Sequence, residues 1–255
     1  MTSTPPAVSI LVATWNCARQ LGEFLQSLQA QDWSDWELLL LDNASTDGTA
    51  ELVQRFQRQV QLDPARRLVW SSKPDGGIYE AWNRGLSLAR GHYLSFIGAD
   101  DVFLDARSLG RIAALTAAGV DLITARNAYC GRDGRLLRHW GSPWNWRRMR
   151  QSMTIAHPGM LVRRELFERF GPFDASYRIC GDYDWFLRLP PDLRSVHSSD
   201  SILKVVQGGI SHTRIGAVYR ETFRAQRRHV GAVYGGLCWA LNWAKYGRRR
   251  LIGLA

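Results

Sequence analysis

Lysine is nearly missing from this chain of 255 residues: Lys73, Lys204 and Lys245 are the only three. The formal charge of +10 is therefore carried almost wholly by arginine. Guanidinium forks suit phosphate and carboxylate partners, and an arginine-rich genome gives the same bias. An anionic partner fits the charge. Cysteine is sparse too. Cys17, Cys130, Cys180 and Cys238 show no C-x-x-C spacing, which argues against a zinc site and fits reduced thiols of a cytosolic protein. Neither G-x-x-x-x-G-K-[ST] nor G-x-G-x-x-G occurs, which argues against a P-loop enzyme or a dinucleotide dehydrogenase. Long apolar runs are absent: the most apolar late segment, VGAVYGGLCWALNWAKY, is short and glycine-rich for a membrane span. MTSTPPAVSI offers no basic region or apolar segment of a signal peptide. No low-complexity tract suggests disorder, and 45% hydrophobic residues suffice for a substantial core. A cytoplasmic chain of one large domain, or one domain plus a tail, is expected.

What is present is alternation. VSILVAT (8–14), WELLLLD (36–42) and HYLSFIG (92–98) read as buried strands, and RLVWSS (67–72) fits another strand. Between them, residues 18–31 place Leu21, Phe24, Leu25 and Leu28 on one helical face. Ser45, Thr46 and Asp47 offer capping groups ahead of a second helix, and 77–90 reads as a third. A helix near 105–118 and a strand at 120–125 follow. Such β-α units require a parallel sheet with helices on both faces. Beyond 126 the pattern loosens. RNAYCGRDGRLLRHW suggests a hairpin, GSPWNWRRMR a Trp/Arg-rich loop, 163–170 and 181–189 two helices, and 201–206 a last strand. From about 213 the chain reads as helical, basic and aromatic.

In an open α/β sheet, ligands bind outside the carboxyl ends of the strands. Thr14-Trp15-Asn16, Asp42-Asn43, Asp75 and Asp100-Asp101 fall at those ends or in the loops after them. Any one alone is accounted for by a turn or cap, because Asp and Asn bond nearby backbone N–H groups. Four at one edge make a candidate site. Asp100 and Asp101 supply hard, acceptor-only oxygens that suit Mg2+ or Mn2+ shared with a phosphate, and a cation relieves their mutual repulsion.

VSILVATWN, LLLLDNASTDGT, KPDGGIYEAWNRGLSLARG, YLSFIGADD and FGPFDASYRICGDYDWFLRL together resemble a family 2 glycosyltransferase of the GT-A fold, over roughly residues 7 to 190. The DGGIY and GADD wording is similar to short bacterial enzymes of exopolysaccharide, colanic-acid-like or O-antigen assembly. The resemblance implies a Rossmann-like, mostly parallel sheet flanked by helices, with a basic helical tail. It implies a catalytic domain over 1–212, with 7–125 as its nucleotide-binding half and 126–212 as its acceptor side, and an extension over 213–255. Thr14, Trp15 and Asn16 would line the nucleobase pocket, with Asp42 accepting from a uracil-type ring and Asp75 holding the nucleoside. Trp15 stands where the family usually has Tyr or a smaller group, and stacking survives that change. Asp100 would face the ribose, and Asp101 would bind the metal, Mg2+ or Mn2+, that bridges the diphosphate.

Asp182 is the implied base; the family's Glu-Asp pair is Gly181-Asp182 here. Asp184, if helical, points elsewhere as an exposed or capping acid. The implied activity is inverting transfer of one sugar from a nucleoside diphosphate sugar, UDP favoured, to a saccharide or lipid-linked acceptor. The Q-x-x-R-W motif of processive synthases is missing. His157 touches the sugars or is a satisfied loop histidine, and His212 lies where some relatives place a late metal ligand. In the tail, Arg224, Arg227 and Arg228 accompany Trp239, Trp243 and Tyr246, then Arg248, Arg249 and Arg250. That pattern suits an anionic membrane face, or a helix packed back on the domain with solvated arginines. Three alternatives differ in class, and one of them, a non-catalytic relative that binds nucleotide sugar only, is opposed by the retained Asp182. A sugar nucleotidyltransferase would need a Gly- and Lys/Arg-rich triphosphate loop that is missing. A nucleic-acid-binding protein would not place acids at the strand ends.

Overall fold

The computed structural model describes residues 5–60 and 67–251, and the side chains of Val60, His212 and residues 248–251 lie outside that description. Three β-α units and a fourth strand open the described chain: β1 (Val8–Thr14), α1 (Ala18–Gln29), β2 (Trp36–Asp42), α2 (Thr49–Val60), β3 (Arg67–Ser72), α3 (Ile78–Leu86) and β4 (Tyr93–Gly98). A two-residue β5 (Val102–Phe103) leads to α4 (Ser108–Ala114) and a 3-10 turn (Leu115–Ala118). The hairpin β6 (Leu122–Cys130) and β7 (Leu136–Trp140) follows, then α5 (Trp146–Met149), β8 (Leu161–Arg163), α6 (Glu165–Phe170), α7 (Gly181–Phe186) and β9 (Ser195–Val206). The tail holds α8 (Ile210–Thr213), α9 (Ile215–His229) and α10 (Ala232–Leu251).

All described strands join one sheet in the order β3-β2-β1-β4-β8-β6-β9-β5, with β7 on β6. The β3-β2-β1-β4 block is parallel, and its register sets Thr14 beside Asp42, Asp42 beside Ser72 and Ala13 beside Gly98. Three strands and the loop after β4 therefore end level, at one rim. Strand alternation then feeds two cores. Ile10, Val12, Leu38 and Leu40 pack with α1, α2 and α4; Leu11, Leu39, Leu41 and Phe96 pack with α3, α6 and α7.

Past residue 98 the sheet departs from the simple parallel expectation. β8 lies between β4 and β6, antiparallel to both, while β9 pairs parallel with β6 and antiparallel with β5. Within the Trp/Arg-rich segment expected as a loop, Asn145 accepts from the Arg148 N–H and caps the single turn α5. The expected boundary at 212/213 falls inside α8, and α9 packs on α7.

Candidate active site

One side of the rim is organised by Asp42. Its two oxygens accept from Thr14 Oγ1 (2.9 Å), Ser45 Oγ (2.6 Å), the Ser45 N–H (2.9 Å) and Ser72 Oγ (2.7 Å). These four donors occupy about all the lone-pair directions of a carboxylate. Asp42 thereby ties the ends of β1, β2 and β3 together, and a ring N–H must displace one of them to reach it. Asn16 and Ala44 hold left-handed backbone at φ 46° and 49°, a conformation that few non-glycine residues adopt. Cross-bonds hold the two loops: the Asn16 N–H donates to Ser45 Oγ and the Thr46 N–H to Asn16 Oδ1, both at 2.8 Å. Trp15, between them, is 66% exposed. It lines a pocket of about 220 Å³ with Thr14, Asn43, Asp75 and Ile78. The Asp75 N–H donates to Asn43 Oδ1 (2.7 Å), and its carboxylate faces Arg84 at 3.5 Å. Burial raises the Asp75 pKa against the pull of the Gly77 N–H and Arg84.

A second cleft, of about 610 Å³, adjoins the first at Ile78. Asp100, Asp101 and Asp182 line it together. Asp100 is exposed and Asp101 is 4% exposed. Burial, then the Asp100 charge, pushes the Asp101 carboxyl up to about 8, although the Gly98 N–H bonds it at 2.9 Å. Gly98 leaves the space above it to both acids: a Cβ there would lie 2.8 Å from Asp100 Oδ1 and 2.9 Å from Asp101 Oδ2. Two hard oxygens thus converge where one carboxyl lacks a counter-charge, which fits a divalent cation completed by water and diphosphate. No cluster of three or more His, Cys, Asp or Glu at metal spacing occurs among the described residues. Asp182, in the first turn of α7, accepts from its neighbour's Tyr183 N–H at 2.8 Å and lies 3.2 Å from the Tyr79 hydroxyl.

The structure brings Thr14, Trp15 and Asp75 to the first pocket and Asp100, Asp101 and Asp182 to the second. Asp42 and Asn16 lie beside the first pocket, bound into its loops. Asp184 corrects an expectation: it is fully buried, not an exposed or capping acid, and bonds Tyr177, Arg188 and His229. His157 is buried against Phe96 and Trp82 and lines the second cleft, with no partner for its Nε2. Burial lowers its pKa. The side chain of His212 lies outside the described residues. Sequence reasoning missed Arg84, whose Nη2 donates to the Asp42 and Ser71 carbonyls at the strand ends. It also missed Tyr79, although both residues sit inside the quoted motif KPDGGIYEAWNRG.

Residues 9–171 match the family described as Glycosyl transferase family 2. A PGL/p-HBAD biosynthesis glycosyltransferase of Mycobacterium bovis is 34% identical over 185 residues, 72% of this chain and 69% of that protein. Chondroitin synthase of Pasteurella multocida is 29% identical over 189 residues, 72% of this chain but 19% of that one. Among solved structures, S. aureus TarS 1-349 in complex with UDP-GlcNAc superposes with a TM-score of 0.68 at 18% identity, over 91% of this chain and 70% of that one. The mannosyltransferase PcManGT of Pyrobaculum calidifontis, in complex with GDP-Man and Mn2+, gives 0.65 at 19% identity, over 96% and 76%. These two likenesses carry the GT-A fold. The family match and the mycobacterial relative together place the chain in glycosyltransferase family 2.

Proposed function

We propose that the chain moves one sugar, with inversion, from a nucleoside diphosphate sugar to a hydroxyl of a saccharide or lipid-linked saccharide, in assembly of a bacterial surface glycan. The observation that carries this reading is the meeting of Asp100, Asp101 and Asp182 in one cleft that opens onto the Trp15 pocket. In it, the base stacks on Trp15 beside Thr14 and Asn16, over the loop that Asp42 holds. Asp75 holds the nucleoside and Asp100 the ribose. The UDP-GlcNAc bound by TarS supports UDP. The Mn2+ of PcManGT supports a metal, for which Asp101, with Asp100, is the fitting donor. Bound there, Mg2+ or Mn2+ supplies positive charge to the diphosphate leaving group.

Asp182 accepts the proton of the acceptor hydroxyl as that oxygen attacks the anomeric carbon. The new C–O bond forms as the bond to phosphate breaks, and its electron pair leaves with the nucleoside diphosphate. With Asp182 the only other carboxylate lining the cleft among the described residues, the geometry suits a single displacement and no covalent sugar intermediate. Relatives named for PGL/p-HBAD biosynthesis and for chondroitin synthesis support glycan assembly. Family membership sets aside the nucleotidyltransferase and nucleic-acid readings.

No described helix is long and apolar enough to cross a membrane. Peripheral contact on an anionic leaflet is supported instead by α10, where Val233, Leu237 and Leu241 recur every fourth residue and are 81%, 62% and 59% exposed. A thermal-shift screen of UDP-glucose, UDP-N-acetylglucosamine and GDP-mannose, each with and without Mn2+, tests the donor. A UDP-sugar should stabilise the fold only with metal. Asp182→Asn should keep that shift and lose transfer by about 10²- to 10⁴-fold. Stabilisation by none of the donors, or near-normal transfer by Asp182→Asn, would sink the reading.

A further inference from the structure

Asp182 lacks the acidic neighbour that the family usually sets before it, and the structure shows what occupies that space. A Cβ on Gly181 would lie 2.8–2.9 Å from three carbons of the Tyr79 ring. Tyr79 is buried, and its hydroxyl lies 2.6 Å from the Ile179 carbonyl and 3.2 Å from Asp182 Oδ1. Burial, then the Asp182 charge, pushes the phenol well above its ordinary 10, so it remains a donor.

From the other side comes Glu221 of α9, the only acidic residue after Asp200 in a strongly basic stretch. Its carboxylate accepts three successive backbone N–H groups, those of Arg178 (3.0 Å), Ile179 (2.9 Å) and Cys180 (2.9 Å). Those peptides run straight into α7, and orphan N–H groups at a helix start attract a carboxylate. Ile179 is thus gripped at both ends, its carbonyl by Tyr79 and its N–H by Glu221. Two more α9 side chains hold α7 itself: Gln226 Nε2 lies 3.2 Å from the Tyr183 hydroxyl, and His229 Nε2 lies 2.9 Å from Asp184.

We propose that Tyr79 and Glu221 are positioning residues for Asp182, and that α9 is accordingly a working part of the active site rather than an appendage to it. The proposal rests on Asp182 being the base. Tyr79 shares its single O–H between the Ile179 carbonyl and Asp182 Oδ1, and Glu221 fixes the loop that leads into the first turn of α7. A displacement of about 1 Å at such a group costs up to about 10²-fold in rate.

The test compares Glu221→Gln, Tyr79→Phe and Asp182→Asn in the full chain. Three quantities are read: hydrogen exchange of residues 178–186, UDP affinity with Mn2+, and UDP release from the UDP-sugar that the screen selects, with octyl glucoside and water as acceptors. Glu221→Gln should expose the 178–180 amides to exchange at least about tenfold faster. It should slow UDP release by about 10- to 100-fold while UDP affinity stays within about twofold. Tyr79→Phe should slow release similarly while UDP affinity again stays within about twofold.

Unchanged exchange and release in both variants would overturn the proposal, as would equal losses of release and UDP affinity. Tyr79→Phe removes one oxygen only and carries the test alone if Glu221→Gln does not fold. Asp182→Asn separates the two ideas. Normal turnover there refutes the base, whereas an inactive Asp182→Asn beside two fully active variants refutes the positioning role.

Discussion

Two carboxylates on α7, two residues apart, live in opposite surroundings. Asp182 faces the cleft, while Asp184 turns inward to the Tyr177 hydroxyl (3.0 Å), Arg188 (2.6 Å) and His229 (2.9 Å). Burial alone would raise the Asp184 pKa, but the bonds from His229 and Arg188 outweigh it and hold it at about 2, below its ordinary 3.8. A depressed folded pKa stabilises the protein above the unfolded value, and that stability fades as pH falls through the folded one. Asp184 should therefore contribute about 2 kcal/mol at neutral pH, lost between about pH 4 and pH 2. Urea unfolding of Asp184→Asn at pH 7 and pH 3 checks this: the deficit should shrink at the lower pH. Trp15 makes the other residue-scale prediction. Base–aromatic stacking contributes about 1–3 kcal/mol, so Trp15→Ala should weaken UDP binding by about 5- to 150-fold, and Trp15→Phe far less. Equal affinity in a calorimetric titration would move the base away from Trp15.

At the scale of elements, α3 connects the two pockets, since it carries Tyr79 and Arg84 and begins at Ile78, which touches both. It sits close on the sheet because Gly85 has no side chain: a Cβ would lie 2.5 Å from Leu41 Cδ1 and 2.7 Å from Leu11 Cδ2. Gly85→Ala should overpack this contact and cost about 1–3 kcal/mol, read as a lower urea midpoint at unchanged slope. Elements of the first half were legible because buried parallel strands are continuous apolar runs, and VSILVAT and WELLLLD match β1 and β2 end to end, while RLVWSS matches the half-buried edge strand β3. β5 and β8 were not legible. At two and three residues they have no period of their own and exist through pairing with β9, β4 and β6. The start of β9, Ser195 to Asp200, is polar and was likewise missed. Asp42, Asp75, Asp100 and Asp101 showed in the sequence because each ends or follows a strand, whereas Asp182, in the first turn of α7, came only with the family resemblance. Tyr79 and Glu221 did not show, because their partners lie 103 and 41 to 43 residues away.

Across the whole molecule, the tail has an inner and an outer helix. On α9 two of the four arginines are partnered: Arg224 and Arg228 reach Asp174 at 3.6 and 2.9 Å, and Arg224 also covers the Tyr177 ring at 4.2 Å. They are not simply solvated, as a tail packed back on the domain was expected to leave them. α10 keeps its apolar stripe outward, and Tyr219, Trp243 and Tyr246 cluster between the two helices. Phosphatidylglycerol vesicles should co-sediment the protein, neutral vesicles should not, and salt should weaken the binding. Leu237→Asp with Leu241→Asp should abolish it, and unchanged binding of the double variant would rule α10 out. The strand order also carries a consequence for synthesis. The parallel block that frames the first pocket is complete by Gly98, whereas α7, which carries Asp182, is held through Asp184 by a side chain as late as His229. One face of that block packs on Leu166, Phe167, Tyr183 and Phe186, and domains fold as units. A chain truncated before α9 would therefore carry every strand end that frames the first pocket yet lack the contacts that hold α7, so truncation should separate the two pockets.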